Sequence, residues 1–378
     1  MTFRAHIPVL MLAWWVIAGL TASVSCAGGH YDIQGQASGW AKRETADSKW
    51  NTHLGIHYLP QLTIGKNAWA STFFDLEVSL EASAQVVQHD REDTADIDLY
   101  RLKLRFATPR TETRLGLQQI NFGPAYLLRS LRWFDRLDPR DPLGLTEGVY
   151  ALTFRYVAQN NAGLWLWGLY GNDEPKGNEV LPTLEEEPEV GGRLEVPIPS
   201  GEGGLTLHYR SVDGPEPVIG DFEESRVALD GRWDIVIGLW FEAAIVNQRS
   251  HDLPYDWRKM ITLGADYTFS IGNGLHTLIE HMAVAPSEKA LGWVEDSHMS
   301  GLSLSYPLGY ADRLSAVPFY YWDSREYSVY AAWEHYWEIL SLSISLYRYP
   351  ELGDETGLVA PETIEQGRGG RLLLIYNH

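Results

Sequence analysis

The chain has 378 residues, a formal net charge of −20, a single Cys, and 15 Trp, 20 Tyr and 11 Phe. An acidic balance of this size opposes a phosphate backbone and excludes nucleic acid as a partner. Beyond the first thirty residues no segment reaches the ~18 apolar residues of a membrane-spanning helix.

The N-terminus reads as an export signal. Arg4 and His6 precede an apolar stretch from Ile7 to Leu20, and small residues follow from Thr21 to Ala27. The apolar run is too short for an anchor and ends in a cleavage-type segment. Cleavage after Ala27 leaves residues 28–378 as one domain. Lipidation of Cys26 is the alternative, although Ser23 stands where an aliphatic residue is expected. After cleavage at Ala27 no cysteine remains, so there is no disulfide and no thiolate metal site.

Period-two alternation then dominates. Phe74, Leu76, Val78 and Leu80 oppose Asp75, Glu77, Ser79 and Glu81. Tyr100, Leu102, Leu104 and Phe106 oppose Arg101, Lys103 and Arg105; Leu340, Leu342, Ile344 and Leu346 oppose Ser341, Ser343 and Ser345. Such sets occupy opposite faces of a strand. Eighteen strands are predicted: 31–41, 50–62, 72–86, 97–107, 112–121, 148–158, 162–170, 190–197, 203–213, 223–233, 236–247, 259–270, 275–284, 298–306, 313–322, 326–335, 338–348 and 369–377. Most match the ~9–11 residues that cross a bilayer at a tilt.

The connections largely alternate in length. Short ones lie at 108–111, 159–161, 234–235 and 271–274, and long polar ones at 42–49, 87–96, 122–147, 171–189, 248–258, 285–297 and 349–368. The connection 323–325 is short where a long one is expected. Short turns at one rim and long loops at the other predict an all-β fold, a transmembrane antiparallel barrel of about 18 strands, with 16 as the alternative. The many Trp and Tyr suit interfacial girdles. A soluble β protein that binds sugars is the competing reading.

Two charged regions mark a candidate site. Residues 101–140 hold nine Lys or Arg and three Asp or Glu. Arg101, Lys103 and Arg105 share a face with Asp75, Glu77 and Glu81 of the neighbouring strand. This arrangement is either a charge-selective constriction or a brace of the wall. The loop 122–147 carries Arg129, Arg132, Arg136 and Arg140 among Leu127, Leu128, Leu131, Trp133, Phe134 and Leu137. Its apolar residues need a surface, so it folds into the barrel or caps its mouth.

Arg114, Gly116, Gln118 and Gly123, followed by Arg129, Trp133 and Asp138-Pro139-Arg140-Asp141-Pro142, resemble a segment of alginate-export-type outer-membrane porins. The likeness covers about thirty residues. It departs at Leu117, where that family commonly has arginine. It implies a barrel with an arginine-lined lumen passing an anionic solute. Outer-membrane lipid and lipopolysaccharide are the expected surroundings, and the residues themselves imply no cofactor, metal or catalytic residue. Monomer and homo-oligomer both remain open.

Three further features bear on function. His298 and Ser300 share a face, with an expected outward orientation, and resemble the His-x-Ser of outer-membrane phospholipase A; no orienting partner is evident. The acidic run 184–189 reads as a solvated loop tip. Tyr376, two residues from the end, is close to the terminal aromatic of a barrel's last strand. A non-conducting structural or adhesive barrel has the same sequence signature as an open pore.

Overall fold

The computed structural model describes residues 29–46, 49–69, 71–88, 93–214, 219–250, 253–290, 292, 296–350 and 367–378. The expected signal segment lies outside them. The strands are β1 (Gly29–Ala46), β2 (Lys49–Trp69), β3 (Thr72–Gln88), β4 (Thr94–Ala107), β5 (Thr111–Gln118), β6 (Val149–Val157), β7 (Gly163–Leu169), β8 (Glu189–Ile198) and β9 (Gly201–Val212). They continue with β10 (Phe222–Asp234), β11 (Gly238–Arg249), β12 (Trp257–Phe269), β13 (Leu275–Ser287), β14 (Ser297–Pro307), β15 (Asp312–Tyr321), β16 (Glu326–Tyr336), β17 (Leu340–Tyr349) and β18 (Gly367–Asn377).

Every strand pairs antiparallel with its sequence neighbours, and β1 pairs with β18 to close an 18-stranded barrel. Closure satisfies the backbone groups that an open edge would leave bare. At the seam Gly35 exchanges backbone hydrogen bonds with His378, and the His378 ring stacks between Tyr58 and Tyr376 at 5.9 and 5.8 Å.

Alternation sorts the side chains. Leu104, Leu115, Leu152, Leu207, Leu229, Leu263 and Leu346 point outward and are exposed, while their strand neighbours face the interior. Exposed aromatics gather near both rims: Tyr156, Tyr267, Phe269, Tyr336 and Trp337 at the short-turn rim, and Trp50, Tyr170, Tyr320, Trp322 and Tyr327 at the other. An apolar belt between aromatic girdles is the surface a bilayer requires.

Two sequence expectations are corrected. The segment 42–49 is not a long loop, since β1 runs to Ala46 and β2 starts at Lys49. The polar residues that suggested a loop are cross-strand partners: Glu44 binds Lys42 at 2.8 Å and His53 at 3.0 Å inside the barrel. Likewise β3 extends to Gln88 and β4 begins at Thr94, which shortens the connection expected at 87–96. The tight connection near 323–325 is real, between Tyr321 and Glu326, and the strand count stays at eighteen.

Candidate permeation pathway

The connection between β5 and β6, residues 119–148, turns into the barrel. Two interior carboxylates receive its backbone. Glu242 of β11 accepts hydrogen bonds from Ala125 N at 3.0 Å and Leu131 N at 2.9 Å. Glu280 of β13 accepts Tyr126 N, Leu127 N and Leu128 N at 2.7, 2.8 and 2.6 Å, together with Trp240 Nε1 at 2.8 Å. Between them Thr262 of β12 donates to Leu128 O at 2.7 Å. Irregular backbone inside a barrel needs such partners, because its amides have no ladder of their own.

The loop's apolar side chains fill the interior beside these anchors. Leu128, Leu131, Trp133 and Phe134 are buried against Trp167, Trp240, Met260, Met282 and Met299 of the wall. Phe122 stacks on Trp167 at 5.6 Å. Burial on this scale contributes on the order of 1.5–3 kcal/mol per large side chain. Within the loop Arg129 pairs with Asp135 at 2.5 Å, and Arg140 grips Asp138 through Nε and Nη2 at 2.9 and 2.7 Å.

Two glycines permit this path. Gly116 has φ +117°, and a Cβ there would strike the carbonyl oxygen of Leu102. Gly123 has φ +92°, and a Cβ there would occupy the position of the Glu242 carboxylate. Both belong to the motif singled out in the sequence, and both are explained by close approach and left-handed backbone.

A second inward segment follows β7. Glu179 is buried between Lys176, Arg210 and Arg226 at 3.1, 3.1 and 2.7 Å, and Glu224 binds the same two arginines. Glu189, the end of the acidic run read as a solvated tip, instead joins this network through Lys176 and His208 at 2.9 and 3.1 Å. Asn178 ties the two inward segments together, accepting from Arg132 Nε at 2.9 Å and donating to Arg129 O at 3.0 Å. Among the described residues no group of three His, Cys, Asp or Glu could hold a metal.

Half-way round the ring from β11–β13, the wall formed by β1–β5 is polar. Lys103 pairs with Glu77 at 2.9 Å, Arg105 with Asp75 at 2.7 Å, and Glu112 bridges Arg105 and Arg114 at 3.4 and 2.5 Å. Glu81 binds His57 at 3.0 Å. Arg101 is buried and donates to Thr146 O of the loop at 2.7 Å. Gln118 is also buried, donating to Ala151 O at 2.9 Å. Of the expected acid–base ladder, the pairs Asp75–Arg105 and Glu77–Lys103 form, and Arg101 and Glu81 do not pair with each other. Arg114 pairs with Glu112, and Gln118 ties β5 to β6. Arg101 binds the loop, Arg129 and Arg140 pair within it, and Arg132 ties it to Asn178.

The loop divides two recesses. One of about 560 Å³, towards the short-turn rim, is lined by Ala125, Arg129, Arg193, Asp230 and Arg232. The other, of about 890 Å³, towards the long-loop rim, is lined by Glu81, Asp98, Tyr100, Arg136 and Asp173. Asp138 lines both. Beside it, burial raises the Asp141 carboxyl above its ordinary range, opposed by the Arg371 guanidinium at 3.7 Å. Sequence reasoning named these aspartates only as members of the loop motif, and it missed Glu242 and Glu280. Their signal is slight: each is one carboxylate at an interior-facing position among apolar neighbours.

On the outer face, Ser300 does not pair directly with His298. It binds His281 of β13 at 2.9 Å, because Ser300 lies opposite His281 in the strand register.

No protein-family profile matches the chain, and no curated protein matches it by sequence. Its fold is that of outer-membrane porins. OmpT of Vibrio cholerae, an outer-membrane protein solved in a trimer form, superposes with a TM-score of 0.53 over 93% of this chain and 100% of its own, at 12% identity. OccK5 of Pseudomonas aeruginosa gives 0.56 over 92% and 97% at 9% identity. An anion-selective porin of Comamonas acidovorans gives 0.51 over 93% and 100% at 11% identity. These likenesses show the fold; the resemblance to alginate-export-type porins rests on its short motif alone.

Proposed function

We propose that the chain is a pore of the Gram-negative outer membrane through which small hydrophilic solutes diffuse passively, without a catalytic step. The observation that carries this reading is Asp138. One loop residue borders recesses that open towards opposite rims, so the loop acts as a constriction with an aqueous vestibule on each side. An 18-stranded barrel leaves a channel unless something fills it. Here the middle of the loop is anchored to β11–β13, and its return towards β6 is held by Arg101 of β4. Residues 28–378 form the barrel, delivered by the export signal 1–27, with lipid and lipopolysaccharide around the outward belt.

The loop arginines and the β4–β5 ladder favour anions modestly. The preference is modest because Lys103, Arg105 and Arg114 each face an acid. Liposome swelling tests the reading. Proteoliposomes should swell in an uncharged monosaccharide, and faster in a small organic anion than in a cation of equal size. Folded barrel that gives no swelling with any solute contradicts the pore and leaves the structural barrel.

A further inference from the structure

The outward face of β13–β15 carries a polar chain where a bilayer would meet the barrel. Trp322 Nε1 lies 2.9 Å from Ser300 Oγ, which lies 2.9 Å from His281 Nδ1. His281 Nε2 lies 3.2 Å from His298 Nδ1, and His298 Nε2 lies 2.9 Å from Asp296 Oδ2. The register fixes the orientation. His281 lies opposite the exposed Leu263, whereas Met299, between His298 and Ser300, is buried in the interior cluster.

The carboxylate end sets the polarity of the chain when both imidazoles are neutral. An indole nitrogen only donates and a carboxylate only accepts. In that state Asp296 takes the Nε2 proton of His298, whose Nδ1 accepts from His281 Nε2. That leaves His281 Nδ1 unprotonated and facing the Ser300 hydroxyl. A base oriented by a second group, itself hydrogen-bonded to a hydroxyl, is the arrangement that activates a serine nucleophile. Polar groups on a lipid-facing wall are costly and mark functional positions.

We propose that Ser300 and His281 form an esterase centre that takes ester-linked acyl chains of outer-leaflet lipid from the membrane side. The Ser300 proton passes to His281 Nδ1 as Oγ bonds to the acyl carbon. The carbon–alkoxy bond breaks, and the leaving alkoxide takes the proton from His281. Water then gives a proton to His281 and attacks the acyl-serine, releasing the fatty acid and restoring the hydroxyl. Trp322 Nε1 donates to Ser300 Oγ and orients the hydroxyl towards His281. His298 and Asp296 are positioning residues that hold the His281 tautomer.

The centre lies on the opposite face of the wall from the pore, so its test is independent of conductance. The full chain, folded in detergent and checked by its heat-dependent electrophoretic shift, is treated with a fluorophosphonate probe. The adduct is located by peptide mass spectrometry. The expected result is a single adduct on Ser300, absent in Ser300→Ala and formed roughly a hundredfold more slowly in His281→Gln, within the range for loss of a general base. Asp296→Asn should change the pH profile of labelling, which loss of a merely structural contact would not do. A folded barrel with no adduct at Ser300, or labelling indifferent to His281→Gln, overturns the proposal and leaves a self-satisfied polar cluster in the aromatic girdle.

Discussion

Gly123 leaves the space that the Glu242 carboxylate fills, and that carboxylate holds the loop two residues later at Ala125 N. A residue of the loop and a residue of β11 are thus matched in shape before they are matched in hydrogen bonding. Gly123→Ala meets both the carboxylate and a left-handed backbone. It should destabilise the folded barrel by about 1–3 kcal/mol, the usual cost of a strained backbone position, and loosen the loop. Thermal unfolding followed by the electrophoretic shift measures the first effect, and noisier channel current the second.

Glu280→Gln tests the larger anchor. The carboxylate accepts three loop amides and the Trp240 indole. An amide side chain has one acceptor oxygen, so at least one donor is left unpaired in a buried site, at a cost of about 1–3 kcal/mol. The expected outcome is faster amide hydrogen exchange at Tyr126–Leu128 with the strand amides unchanged. Equal protection in wild type and variant would contradict the anchoring role.

Asp138→Asn removes the negative charge shared by both recesses and leaves Arg140 without its carboxylate partner. Anion preference should rise, seen as a shift of the zero-current potential in a salt gradient. Arg105→Gln should move it the other way, because Asp75 then loses its counter-charge.

A pH effect follows from Asp141. Burial raises its carboxyl, so it takes up a proton at a higher pH than an exposed aspartate. As pH falls through that raised value, Asp141 becomes neutral and Arg371 stands unopposed. Anion preference should therefore increase with acidification before ordinary carboxylates titrate. The early step should be missing in Asp141→Asn. Its persistence there would assign it to another group.

The strands were legible because their alternation is local: each interior or lipid-facing residue is decided by its neighbours two positions away. Part of the ladder was legible for the same reason, since Asp75 with Arg105 and Glu77 with Lys103 follow from simple register. The ladder fails past Ser79, where β4 carries one extra residue at Tyr100. That bulge shifts the pairing, sending Glu81 to His57 and Arg101 to Thr146, and nothing in the alternation announces it. The anchors were not legible at all. Glu242 and Glu280 meet the loop across more than a hundred residues of chain, and only the closed ring brings them together. The outer chain at Ser300 shows an intermediate case: the sequence placed His298 and Ser300 on one face, but the register of β13 supplied the actual partner.

The most direct test of the account is single-channel recording of the folded barrel in a planar bilayer, with wild type and Gly123→Ala side by side. The account predicts stable conductance steps for wild type and larger, less stable steps for the variant, because the loop both leaves a passage and limits it. A correctly inserted wild-type barrel with no conductance, opened only by dislodging the loop, would contradict the pore and show that residues 119–148 close the lumen.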